Sequence, residues 1–329
     1  MDRTSLRVAV ERWPRARPFR ITGHVSEAVD VVVVELGLRE MIGRGEAAGV
    51  RYRNEDVASI VRQIESVREQ IESGLSRQEL QQTLPPGGAR NALDCAMWDL
   101  EAKLSGRPVW QLAGLAEPRP LLTTFTCGAD EPRQMVDRAM SFEQARAIKL
   151  KLTGEAVDAD RVRAVRDARP EVWLCVDANQ GFTPRTLERI MPVLVENDVK
   201  LIEQPFPRGQ DQLLTGFRSP LPIAADESVQ STEDLADLAG RFNVVNVKLD
   251  KCGGLTEGLR MARAIRALGM EVMVGCMGGT SLAMAPGFLV GQLCDVVDLD
   301  APAQLKLDRA HPVDYSEGRI RCPPALWGH

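Results

Sequence analysis

Lys149-Leu150-Lys151, Val176-Asp177-Ala178-Asn179, Leu201-Ile202-Glu203-Gln204-Pro205, Ala224-Ala225-Asp226-Glu227 and Val244-Val245-Asn246-Val247-Lys248 are the charged ends of five short apolar runs. Each run has the length and the Val, Ile, Leu and Ala content of a buried parallel strand. From Lys151 to Asp177 is 26 positions, to Glu203 another 26, to Asp226 another 23 and to Lys248 another 22. A repeat of about 25 residues accommodates a strand, a helix and two short loops, the unit of a βα barrel. Charges at the carboxyl ends of successive parallel strands gather at the barrel mouth, where active sites of this architecture lie.

Working outward, the ring of eight is completed by strands over 121–126 before the quoted stretch and over 271–276 and 296–300 after it, with 147–152 as strand two. Between strands six and seven, Leu255 to Leu268 carries an apolar helical stripe. Residues 1–119 read differently. Leu6 to Val10 alternates, Val29–Leu38 and Met41–Glu46 form a hairpin around Arg39-Glu40, and 47–54 is a loop with Asn54 as a helix cap. Helices are expected over 55–73 and, after Pro85-Pro86-Gly87-Gly88, over 89–104. The predicted organisation is an α+β part over 1–119, a modified TIM barrel over 120–302, and a tail over 303–329. That tail carries a strand near Tyr315–Cys322 and returns to the first part.

The 329 residues are 44% apolar and 26% charged with a formal net charge of −5. That balance speaks against a nucleic-acid partner. No run approaches a membrane span, and the Arg-rich start alternates as a strand does rather than as a transit peptide. Seven scattered cysteines without a CxxC pair suggest reduced thiols and a cytoplasmic setting, and the composition is compatible with a homo-oligomer.

Asp177, Glu203 and Asp226 end three consecutive strands. Three carboxylates on one arc repel unless a cation sits among them, and hard oxygen ligands without His or Cys suit Mg²⁺. Lys151 on strand two and Lys248 on strand six face each other across the mouth, on either side of that arc. Removing the α-proton of a carboxylate builds a dianionic enediolate, which needs strong positive charge at its oxygens. Lys149 adds a cation expected to favour the neutral, basic form of Lys151. One amine on each face of the α-carbon implies inversion, a racemisation or epimerisation. Asp298 and Asp300 on strand eight place negative charge at the far end, suited to a free ammonium group. A dipeptide has both ends. Lys251, of opposite parity to Lys248, is expected in the following loop.

These residues resemble the enolase superfamily, muconate-lactonizing subgroup, and within it the dipeptide epimerases of the L-Ala-D/L-Glu type. Lys149-Leu150-Lys151 looks like the family KxK, Asp177, Glu203 and Asp226 like its Mg²⁺ ligands, Lys248 like its second acid/base, and Asp298-Leu299-Asp300 like its DxD. Gly88 to Ala96 and Val247 to Gly258 are also similar to Ala-Glu epimerases. The resemblance implies that the first domain caps the barrel mouth, that Thr126 lines the site, and that Arg51 or Arg53 of the second cap loop meets a glutamate side chain. It also implies recycling of peptidoglycan peptides. The loop Arg20-Ile21-Thr22-Gly23-His24-Val25 departs from the pattern in not clearly presenting the usual basic residue. The same metal and lysines would also serve o-succinylbenzoate synthesis, N-acylamino acid racemisation or cycloisomerisation. A Schiff-base aldolase acting through Lys151 or Lys248, or a non-catalytic barrel, are the readings from other classes.

Overall fold

The computed structural model describes residues 3–329. A three-stranded antiparallel sheet opens the chain: β1 (Ser5–Ile21), β2 (His24–Leu38) and β3 (Met41–Ala48), in that order. β1 is far longer than the Leu6–Val10 alternation predicts. Pro14 and Pro18 interrupt its pattern, and the pairing register with β2 shifts between Pro14 and Phe19 before resuming through Ile21. Proline cannot donate to the ladder, so a proline-bearing strand reads as a loop while still pairing as an irregular edge. The expected loop after Phe19 is therefore mostly strand, turning only at Thr22-Gly23.

The run Val31-Val32-Val33-Val34 is apolar on both faces because both are covered. Val32 and Val34 pack with Ile60, Ile64 and Leu93 in the core of the first domain, whereas Val31 and Val33 join the core shared with the barrel. The helices are α1 (Val57–Ser66), α2 (Arg68–Glu72), α3 (Arg77–Thr83) and α4 (Gly88–Ser105). α1 is capped by Asp56, whose carboxylate accepts from the Ser59 N–H at 2.7 Å. The expected cap, Asn54, instead ends a 3-10 turn over Arg51–Arg53 in a left-handed conformation, which asparagine tolerates through its short polar side chain.

α4 lies so close on β3 that a Cβ at Gly45 would strike the Ala92 carbonyl oxygen, and one at Gly43 the backbone of Ala96 and Leu100. Gly45→Ala is expected to cost about 1–3 kcal/mol through overpacking. A urea midpoint identical to that of the unaltered chain would show that α4 can shift freely.

After β4 (Leu121–Leu122) the barrel strands follow: β5 (Phe125–Cys127), β6 (Ala147–Lys151), β7 (Trp173–Asp177), β8 (Val199–Glu203), β9 (Ile223–Ala225), β10 (Val244–Lys248), β11 (Glu271–Gly275) and β12 (Val296–Asp298). They form one eight-stranded parallel sheet in sequence order. The Thr124 N–H donates to Val297 O at 3.0 Å and brings the two ends of the ring together. The expected first strand over 121–126 is divided: Leu121–Leu122 leaves the ring and pairs with β13 (Arg319–Ile320). The tail strand thus joins the entrance to the barrel rather than the first domain. The return is made later, where Trp327 Nε1 donates to Arg44 O at 2.8 Å and the Gly328 N–H to Asp99 Oδ1 at 2.8 Å.

The first domain sits over the carboxyl ends of the barrel strands. Thr22 Oγ1, at the tip of the β1–β2 hairpin, lies 3.1 Å from both Leu152 O and Ala178 O. Buried Glu46 of β3 accepts from the Thr280 N–H at 2.7 Å and from Arg309 Nη2 at 2.6 Å. Asp250, next to the end of β10, accepts from the Ala48 N–H and Asn91 Nδ2, each at 3.0 Å. Among the described residues no helix is long and apolar enough to cross a membrane.

Candidate active site

Parallel register aligns the charged strand ends. Lys151 pairs with Asp177 and Asp177 with Glu203, so these side chains stand in one row, and Asp226 follows β9 by one residue. Asp177, Glu203 and Asp226 are buried, and each offers a carboxylate oxygen within 4.8 Å of the other two. Among the described residues no histidine or cysteine joins them, and an all-oxygen set of this size fits a small hard dication.

Four ammonium groups converge on the triad. Lys151 Nζ lies 2.5 Å from Asp177 Oδ2, and Lys248 Nζ lies 2.6 Å from Asp226 Oδ2. Lys149 Nζ is 3.3 Å from Glu203 Oε2, 3.7 Å from Asp177 Oδ2, and also paired with Asp298. Lys251 Nζ donates to Asp226 Oδ1 at 2.7 Å, to Asp226 O at 2.5 Å and to Asn246 O at 3.1 Å. Burial would lower the pKa of Lys149, but Asp298, Glu203 and Asp177 outweigh it and hold the group well above its ordinary value. Lys248 is raised likewise, with Asp226 the leading carboxylate. Glu203 is pushed up to about 7 by burial and by Asp177, even with Lys149 beside it.

β6 and β10 are four strands apart in a ring of eight, so Lys151 and Lys248 approach the mouth from opposite walls, with β7, β8 and β9 between them. A cavity of about 130 Å³ separates them, with Lys149, Thr126, Asp298 and Asp300 also in its wall. A larger cavity of about 260 Å³ beside Trp110, Phe288 and Trp327 contains none of the lysines or metal-type carboxylates. Asp298 accepts from Thr124 Oγ1 at 2.5 Å as well as from Lys149. Asp300 lies beyond the end of β12, at the start of a 3-10 turn over Ala301–Gln304, rather than on the strand as expected. Its Oδ2 accepts from the Thr126 N–H at 2.7 Å and from Gln304 Nε2 at 3.2 Å.

Two family descriptions match the chain: the mandelate racemase/muconate lactonizing enzyme N-terminal domain over residues 3–114, and the enolase C-terminal domain-like family over residues 131–326. The chain belongs to the enolase superfamily. Among relatives in that superfamily, the L-Ala-D/L-Glu epimerase of Escherichia coli (strain K12) is 39% identical over 318 residues, covering 96% of this chain and 99% of that one. A solved structure of an enolase family member from Agrobacterium tumefaciens, with homology to dipeptide epimerases and with sodium and L-Ala-L-Glu bound, is 41% identical. It superposes with a TM-score of 0.95 over 99% of this chain and 100% of that one. A dipeptide epimerase from Enterococcus faecalis V583, complexed with Mg and L-Leu-L-Tyr, gives 0.91 at 27% identity, over 100% and 99% of the two chains.

In this enolase-superfamily chain the cap contributes different side chains from those its sequence singles out. Arg51 pairs with His24 (Nη1 to Nδ1, 2.7 Å), Arg53 Nη1 donates to Gln230 Oε1 at 2.5 Å, and neither forms part of the cavity wall. Tyr52 between them does, as do Arg15, Phe19 and Ile21 of β1. Those positions carry no periodic signal; Arg15, Phe19 and Ile21 reach the mouth on the long β1–β2 hairpin, and Tyr52 on the 3-10 turn that follows β3. Lys251 was hidden by a different cause. Strand parity stops applying after Lys248, where the chain enters a helical turn over Leu249–Cys252, and three helical residues bring Lys251 back to Asp226. Asn179, two residues after Asp177, and Glu227, next to Asp226, also stand in the cavity wall and follow no strand or helix period. The doublets Asp177-x-Asn179 and Asp226-Glu227 are the signal that would have found them.

Proposed function

We propose that this chain is a Mg²⁺-dependent dipeptide epimerase that inverts the α-carbon of the C-terminal residue by two-base proton transfer. The observation that carries this reading is the opposition of Lys151 and Lys248 across one cavity, with the Asp177, Glu203 and Asp226 carboxylates on the three strands between them. Asp177, Glu203 and Asp226 hold the cation, which when bound supplies Lewis-acid charge to the substrate carboxylate. Lys151 and Lys248 flank the α-carbon. One amine, in its neutral form, takes the α-proton and becomes an ammonium, leaving a planar enediolate. The opposite lysine, already an ammonium, returns a proton to the other face and becomes neutral. The carbon is inverted, no atom is gained or lost, and the reverse reaction exchanges the two roles. Lys149, fixed by Asp298 and Glu203, keeps a permanent positive charge beside the developing one.

The activity of the Escherichia coli relative and the ligand in the Agrobacterium tumefaciens structure favour L-Ala-L-Glu as the first substrate to try. Incubation with L-Ala-L-Glu and Mg²⁺ in D₂O is expected to produce L-Ala-D-Glu with deuterium at the glutamate α-carbon. Absence of deuterium from every member of an L-Xaa-L-Yaa library would overturn the reading. Trapping of substrate on a lysine by borohydride, with activity surviving EDTA, would replace it with Schiff-base chemistry.

At the amino-terminal end, Asp298 is already engaged by Lys149 and Thr124, whereas Asp300 is bonded through Oδ2 alone. Asp300 is therefore the carboxylate available to the dipeptide ammonium. Asp300→Asn should raise KM for free dipeptides about 10–100-fold, the scale of a lost charge-assisted hydrogen bond of about 1.5–3 kcal/mol, while leaving kcat within a few-fold. It should also narrow the preference for free over N-acetylated dipeptides. An unchanged KM, or indifference of the unaltered enzyme to acetylation, would remove the ammonium role and favour N-acylamino acid racemisation. The seven cysteines are all unpaired, which fits a cytoplasmic enzyme acting on recycled cell-wall peptides.

A further inference from the structure

Buried polar atoms in folded proteins are nearly always paired, so a cluster of unpaired ones points to a missing partner. Among the described residues, Asn179 Oδ1, Glu227 Oε2 and Tyr52 Oη are buried without a hydrogen-bond partner, and all three residues form part of the active-site cavity wall. Asn179 Oδ1 is an acceptor only, and so is Glu227 Oε2 when its carboxyl group is ionised. Glu227 is 3% exposed, and its other oxygen, Oε1, accepts from Asn179 Nδ2 at 3.3 Å. Asn179 is itself tied to the triad, its N–H donating to Asp177 Oδ1 at 2.8 Å and its Nδ2 to Asp177 Oδ2 at 3.2 Å.

Nothing about this placement is loose. Gln204 is fully buried and its Oε1 accepts from the N–H groups of both Asp226 and Ser228, at 2.9 and 3.2 Å, clamping the turn that carries Glu227. Asn179 has φ of +41°, a backbone conformation that asparagine adopts more readily than most residues. The fold therefore holds Asn179 against Asp177 and Glu227 against Asn179, and leaves one oxygen of each without a protein donor.

We infer that Glu227 and Asn179 are outer-sphere positioning residues for the cation, accepting hydrogen bonds from the water that completes its coordination and thereby setting its affinity. Three carboxylates leave room in the octahedron of a small dication for water and substrate. Water in that position is a strengthened donor that must find acceptors, and Asn179 Oδ1 and Glu227 Oε2 are the acceptors left over. The assignment rests on the cation site of the proposed function, but not on which substrate is turned over.

The test is Mn²⁺ binding to the full-length chain freed of metal, followed by the electron paramagnetic resonance signal of free Mn²⁺, with Mg²⁺ competition. No dipeptide is present. Glu227→Gln and Asn179→Gly are expected to bind Mn²⁺ about 10–100-fold more weakly, the usual effect of losing such outer partners. Glu227→Asp retains the charge but withdraws the oxygen, and should weaken binding as well. If the aspartate variant binds Mn²⁺ as tightly as the unaltered chain, net charge alone acts and the hydrogen-bonding assignment is overturned. The same follows if neither change at Glu227 has an effect in protein whose thermal unfolding is unaltered. If Glu227→Gln does not fold, the aspartate and Asn179→Gly variants decide the matter in the same way. A chain that binds Mn²⁺ with these sensitivities yet epimerises no dipeptide would contradict the proposed function and leave this inference standing.

Discussion

Lys151→Ala and Lys248→Ala should each abolish epimerisation, a fall of at least about 10²–10⁴-fold, the usual contribution of a positioned acid or base. Their proton-exchange behaviour should differ. With Lys248 removed, Lys151 can still take and return the α-proton on its own face, so one diastereomer exchanges with D₂O without inverting. With Lys151 removed, the other diastereomer does so. The prediction depends on the lysines standing on opposite walls, four strands apart. It also depends on each variant keeping the cation site, since Lys151 and Lys248 each pair with a carboxylate of the triad. Mn²⁺ binding therefore accompanies the exchange measurement. Exchange of the same diastereomer by both variants, with metal binding intact, would put the two amines on one side and end the two-base scheme.

What the chain discloses in its sequence, and what it withholds, divides along the same physical line. β7 and β10 coincide with their apolar runs, Trp173–Asp177 and Val244–Lys248, because a strand buried on both faces needs a largely apolar stretch and its end is marked by charge. The triad and the three lysines Lys149, Lys151 and Lys248 follow from that regularity. Where backbone geometry changes, legibility fails. Asp300 and Lys251 lie just past strand ends, in a 3-10 and a helical turn, where alternation no longer says which way a side chain faces. The cap side of the cavity was hidden more completely. Arg15 and Tyr52 come from segments interrupted by prolines or coiled into a short turn, and they meet the barrel only through contacts such as Thr22 with Leu152 and Glu46 with Thr280. Contacts made across more than a hundred residues of chain leave no period to read. The Asn54 expectation failed for a local reason: two capping-type residues stand two apart, and the one whose side chain reaches the N3 amide is Asp56.

Glu203→Gln should remove metal-dependent activity while leaving the metal-free fold nearly as stable as before. Of the three triad residues Glu203 is the informative one. Asp226 is buried against both Lys248 and Lys251, and its carboxylate is held well below the usual range because the two ammonium groups outweigh burial. Neutralising Asp226 would strand two buried cations, a defect of about 3–5 kcal/mol per broken pair, and loss of activity would then say little about metal. Glu203 is the opposite case. Burial and Asp177 push it up to about 7, so its negative charge is costly without a cation. An amide there can still accept from Asn246 Nδ2, which lies 2.8 Å from Glu203 Oε1, and Lys149 keeps Asp298 and Asp177. The metal-free variant is thus expected to unfold within about 1 kcal/mol of the unaltered chain, by balance of the relieved charge against one weakened ion pair. Mg²⁺ should separate them. At a hundred times its dissociation constant a ligand stabilises the folded state by about 2.7 kcal/mol, which for a chain of 329 residues is a rise of about 4 °C in the melting temperature. The unaltered chain should show that rise and lose it with EDTA; Glu203→Gln should show little of it, together with a loss of epimerisation. A full Mg²⁺-induced rise in the variant would mean that the cation binds elsewhere. The three strand-end carboxylates would then be a structural ion-pair network held by four lysines, with no role in holding metal.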